Sequence, residues 1–134
     1  EAIALVEEAR RRGVARLRTH CAKYEEDTIR ELASLGAYCE FSFFLLTQAT
    51  QVGLTHVDHE KHKTSGLTIQ QLAPRIRAAG ARAIVSSDSG IYLLAPPVET
   101  FRQYMVMLES EGFTAEEIRT MNTTNPADLF RVGQ

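Results

Sequence analysis

Three times along the chain, a helical run of apolar residues is closed by a glycine and followed at once by a short stretch of strand character. In the first unit Ile3, Ala4, Val6 and Ala9 recur at helical spacing with Glu7, Glu8, Arg10, Arg11 and Arg12 opposite them, and Gly13 stands where a C-cap glycine belongs, which predicts a helix over residues 1–12. A strand over residues 14–19 then leads to His20. The second unit opens at Tyr24-Glu25-Glu26-Asp27, runs through Ile29, Leu32, Ala33 and Leu35 to Gly36, and passes into an alternating strand over 38–43. The third begins at Leu67-Thr68, runs through Ile69, Leu72, Ile76 and Ala79 to Gly80, and gives a strand over 81–87 that stops at Asp88-Ser89-Gly90. Pro74 falls well inside that helix and is expected to kink it.

Strands that alternate with helices point to an α/β fold with parallel strands joined by right-handed crossovers. A parallel sheet is buried on both faces, and three strands alone leave unpaired backbone along both outer edges, so further strands are expected beside them. The rest of the chain is helical. Pro96-Pro97 introduces a helix over 98–111 that Gly112 closes, Thr114-Ala115-Glu116-Glu117 reads as a capping box, and Asn125-Pro126 opens a last helix through Leu129 and Phe130. Between the second strand and the third helix, residues 45–66 form a polar stretch too long for a plain connector.

Composition removes several classes of function. Fifteen Lys and Arg against 17 Asp and Glu, scattered without long like-charge blocks, leave no basic footprint for nucleic acid or an anionic membrane surface. No apolar run approaches the roughly 18 residues that span a bilayer; the longest, over residues 41–46, is interrupted by Ser42. The first residue is Glu1 rather than Met, and no signal-peptide core follows it, which predicts that the sequence begins inside a longer one. Cys21 and Cys39 lack the spacing of a zinc knuckle or a CxxC pair and read as free thiols packed as small core side chains, in keeping with a reducing, cytoplasmic setting.

In a parallel α/β protein, reactive side chains collect at the carboxyl ends of the strands, where the loops converge. The first strand ends in Arg18-Thr19-His20, the second carries Glu40 and Ser42 on the face that also presents Tyr38, and the third ends at Asp88. Alternation sends Cys39, Phe41 and Phe43 to the opposite face, under the helices, so Glu40 points into a barrel or toward a second layer and needs a partner there. His20 and Asp88 are the pair with metal-binding chemistry. An imidazole and a carboxylate suit zinc, manganese, iron or nickel, and a metal with an open position makes a hydroxide near neutral pH. A second candidate group is the run His56-Val57-Asp58-His59-Glu60-Lys61-His62, whose spacing matches no specific zinc motif and which reads as a solvated loop or a lid.

The stretch Ala83-Ile84-Val85-Ser86-Ser87-Asp88-Ser89-Gly90, with Pro96-Pro97, Gly112-Phe113-Thr114-Ala115-Glu116-Glu117-Ile118 and Asn125-Pro126-Ala127-Asp128-Leu129-Phe130 after it, resembles the C-terminal end of the amidohydrolase-like metal-dependent hydrolases, closest to an uncharacterised subgroup. The resemblance covers residues 14–134 in order. It implies a TIM-type (β/α)8 barrel, about 250 residues when closed. The 134-residue sequence would then be a partial domain holding strands six to eight. It further implies that His20 is the strand-six histidine, at or beside a divalent metal such as zinc, and that Asp88 is the strand-eight aspartate, the general base that also touches the metal. The family's first-strand His-x-His pair, strand-four lysine or glutamate and strand-five histidine have no counterpart in this sequence.

The function expected on these grounds is hydrolysis of an amide, ester or lactone-like bond in a small-molecule substrate, with Asp88 catalytic, His20 and Asp88 on the metal, and Glu40 and Ser42 lining the substrate pocket. The remaining part of the barrel is the partner this reading requires. One alternative is a non-catalytic, barrel-derived binding protein that has lost the metal. Another is a small α/β domain that completes its sheet by pairing with copies of itself as a homo-oligomer.

Overall fold

The computed structural model describes residues 1–47, 66–90 and 94–131. Its centre is a parallel three-stranded sheet in the order β1-β2-β3, made of β1 (Arg18–His20), β2 (Tyr38–Ser42) and β3 (Ala83–Ser86). Around it lie α1 (Ala2–Arg11), α2 (Glu26–Ser34), α3 (Ile69–Ala79), α4 (Pro97–Ser110), α5 (Ala115–Arg119) and α6 (Asn125–Phe130). The α/β expectation holds in that form. Among the described residues the outer edges of β1 and β3 carry no further strand, so closure into a barrel is not part of this structure.

Each strand is shorter than its apolar pattern predicts. Residues 14–17 serve the turn out of α1: Val14 N–H donates to Ala9 O (3.0 Å), and the Arg10 guanidinium donates to Ala15 O (2.7 Å). Pairing begins where Tyr38 N–H donates to Leu17 O (2.7 Å), and it carries β1 on to His20. The same Arg10 donates to Leu35 O (2.9 Å) and Gly36 O (2.8 Å), tying the end of α2 to α1. Gly36 has φ +83, a conformation that favours glycine, and a Cβ there would displace that guanidinium. β2 gives way at Phe43 to a 3-10 turn (Phe43–Leu46) that swings the Phe43 ring against Tyr104, centroids 5.7 Å apart. Leu45 and Leu46 thus belong to this turn, while residues 48–65 of the expected long loop, His56, His59 and His62 included, lie outside the described residues.

The helices form where caps and apolar spacing agree. Thr68 and Gln71 make a reciprocal capping box at the start of α3, and Thr114 and Glu117 make another at α5. In α3, Leu72, Ala73, Ile76 and Ala79 are buried, while Pro74 is exposed on the other side. Pro74 leaves the carbonyl of the exposed Gln70 without its helical donor, and α3 nonetheless continues to Ala79. A π turn (Thr120–Thr124) joins α5 to α6 without a break.

The two faces of the sheet differ. Cys39, Phe41, Ala83 and Val85 are buried beneath α2 and α3, which pack side by side, and the four large helix side chains Ile29, Leu32, Leu72 and Ile76 are at most 1% exposed. Each such side chain contributes about 1.5–3 kcal/mol of burial. Cys21 and Cys39 are free and buried, as expected. The opposite face carries Arg18 and His20 on β1, Tyr38, Glu40 and Ser42 on β2, and Ile84 and Ser86 on β3.

Candidate functional site

The polar face has two ends with different occupants. At the amino end, Tyr38 O–H donates to the Asp128 carboxylate of α6, Arg16 reaches the same carboxylate (3.4 Å), and the Arg82 guanidinium lies over the Tyr38 ring at 4.8 Å. Asn125 Nδ2 donates to Ala81 O (3.0 Å) and Ala83 O (2.7 Å), which fixes the start of α6 against β3. The Tyr38 hydroxyl, with Arg16 and Arg82 adding to it, holds the Asp128 carboxyl below the usual carboxylate range. Burial first, and then the bond to Asp128, pushes the Tyr38 phenol up, so it remains a donor. This end latches the last helix to the sheet.

The carboxyl end gathers three of the four residues singled out from the sequence. His20 closes β1 with an exposed ring whose Nε2 lies 3.2 Å from Oγ of Ser42 on the next strand, and Ser42 is only 1% exposed. Glu40 is 8% exposed, and the partner it requires is Arg18 on β1, which donates to its carboxylate. Arg18 is one residue that sequence reasoning missed as part of the site; its position two before His20, facing the same way, was the available signal.

Asp88 follows β3 in an exposed turn, with φ +47 in the left-handed region. Aspartate is among the few non-glycine residues that enter it readily. The turn is held from behind: the hydroxyl of Ser89 bonds that of Thr100, a residue of α4 that is 1% exposed and donates in turn to Pro97 O (2.9 Å). Thr100 was also missed, because nothing in its local pattern separates it from the apolar stripe it shares with Tyr104 and Leu108.

A catalytic zinc takes three protein ligands and one open position. Among the described residues no three His, Cys, Asp or Glu side chains gather to hold a metal, and no hydrogen bond joins Asp88 to His20, Glu40 or Ser42. The two proposed ligands have suitable donor atoms, but they stand on β1 and beyond β3, with β2 between them. They do not make a metal centre by themselves. What the carboxyl end holds is an exposed imidazole bonded to a buried serine hydroxyl and a carboxylate already neutralised by its arginine. Among the described residues no helix is long and apolar enough to cross a membrane. Comparison with protein-family models, with curated proteins and with solved structures finds no match to this chain.

Proposed function

We propose that the chain is the part of an amidohydrolase-type (β/α)8 barrel that supplies strands six to eight, in a metal-dependent hydrolase acting on an amide, ester or lactone-like bond of a small molecule. The observation that supports this reading is the sheet itself: three parallel strands whose carboxyl ends present His20, Glu40, Ser42 and then Asp88, with both outer edges bare among the described residues. Further strands along those edges would complete the barrel and bring the missing ligands. A bound divalent metal, zinc or in its place manganese, iron or nickel, would supply an activated water.

The roles assigned to this chain concern positioning and protons. His20 is a ligand oriented by Ser42, and Asp88 is the second ligand and the residue that takes the proton, steadied by the Ser89–Thr100 bond. Glu40, held by Arg18, and Ser42 border the substrate. The buried free thiols fit a cytoplasmic protein.

A second reading, a non-catalytic barrel-derived binding protein, is favoured by one observation: His20 and Glu40 already have partners within the chain, and the described residues hold no three-ligand group. Metal analysis of the purified protein, of His20→Ala and of Asp88→Asn separates the two. The hydrolase reading expects bound metal in the parent and at least a ten-fold loss of metal affinity in each variant; unchanged metal content and activity in both would reject it.

A further inference from the structure

The chain leaves β1 immediately after His20, and the first two residues of the loop that follows, Cys21 and Ala22, are wholly covered. Covered backbone groups need partners. The Cys21 N–H donates to Glu40 O (2.9 Å), which carries the ladder to β2 one residue further, and the Cys21 carbonyl accepts from Tyr24 N–H (3.0 Å), which turns the chain toward α2. The donor to the Ala22 carbonyl comes from far along the sequence: Nη1 of Arg75, on α3, reaches it at 3.0 Å. α3 packs beside α2, and the arginine spans from it to the loop that leads into α2. Among the described residues Arg75 pairs with no carboxylate, so its charged donor serves a neutral backbone oxygen, a stronger bond than a neutral group would make. Arg77, two positions on, is used elsewhere and donates to Glu111 O (3.0 Å) at the end of α4. His20 therefore has two supports, Ser42 at its ring and Arg75 behind its backbone.

We propose that Arg75 is a positioning residue for His20: by holding the Ala22 carbonyl it fixes the backbone from which the imidazole projects, and with it the place of the ring at the carboxyl end of the sheet. The inference rests on the reading of His20 as a metal ligand, a role that requires the ring to be held to within about 0.5 Å by groups behind it. The test follows the imidazole 15N signals of His20, and Zn2+ affinity by titration calorimetry, in the parent and three variants. Arg75→Met keeps the apolar stem and removes the donor; it should move the imidazole signals and weaken Zn2+ binding about ten-fold. Arg75→Lys, whose ammonium still donates to a single carbonyl, should return both toward the parent. Arg77→Met loosens the same helix at its bond to the end of α4 and should change neither. Imidazole signals unmoved by Arg75→Met, or moved as much by Arg77→Met, would overturn the proposal by showing the bond to be a structural tie alone. Signals that answer to Arg75→Met and recover in Arg75→Lys, in a protein with no affinity for Zn2+, would uphold it and sink the metal reading. Zn2+ binding with signals and affinity indifferent to Arg75 would do the reverse.

Discussion

Nε2 of His20 lies 3.2 Å from the hydroxyl of Ser42, so an exposed imidazole at the end of β1 is anchored by a buried side chain on β2. Removing the hydroxyl should release the ring. Ser42→Ala is expected to cost about 1 kcal/mol, a fall of about 2–5 °C in melting midpoint, and to move the imidazole 15N resonances of His20. An unchanged midpoint together with unchanged imidazole signals would show that the bond does not exist in solution.

The Arg18–Glu40 pair is lopsided, with the arginine side chain about half exposed and the glutamate almost wholly covered. Arg18→Ala therefore strands a covered carboxylate and should destabilise by about 1–3 kcal/mol. Glu40→Gln removes the charge along with its need for a partner and should cost less. Urea unfolding of the two single variants and of the double variant measures this; a double variant less stable than the sum of the singles would contradict it.

Acid should loosen the latch. The Asp128 carboxyl titrates lower in the folded protein than in the unfolded chain, chiefly because of the Tyr38 hydroxyl and then Arg16. Its ionised form therefore contributes stability at and above the ordinary carboxylate pKa near 4, and that contribution disappears as pH falls through the depressed folded value. The stability gap between the parent and Asp128→Asn should be full at pH 6 and shrink steadily toward pH 3. A gap that is flat with pH in thermal melts would exclude the linkage.

Asp88→Asn is expected to fold as well as the parent, because asparagine also tolerates the left-handed conformation found at φ +47. Asp88→Val should lose about 1–2 kcal/mol on backbone grounds alone. Comparing the two by chemical denaturation separates the carboxylate's chemistry from the geometry of its turn; equal stability of both variants would show the turn to be unstrained.

Both thiols should resist modification in the native state. Cys21 and Cys39 are 0% exposed, and the neighbouring Cys39 thiol together with burial pushes Cys21 up. A disulfide-exchange reagent such as Ellman's should titrate neither until urea unfolds the chain, then both. Reaction of either at the native baseline would mean that the helix-covered face opens readily.

The units repeated by helix, glycine and short strand were legible because each rests on local chemistry: the capping boxes at Thr68 and Thr114, the closing glycines, and the alternation that buries Cys39 and Phe41 while turning Glu40 the other way. Strand limits were less so. The 3-10 turn at Phe43 depends on Tyr104, far along the chain, and β1 starts late because Arg10 occupies the carbonyls before it. At the site, His20, Glu40 and Ser42 were visible from their position at strand ends, whereas Arg18 and Thr100 acquire meaning only from the register between strands and the packing of α4.

Tyr38 and Ser42 begin and end the same strand, four residues and about 13 Å apart. At that separation substitutions are felt independently, and their costs should simply add. Substitutions at Ser42 or His20 therefore leave untouched what Tyr38 and Asp128 contribute at the other end, and each end of the strand answers for its own share of the stability.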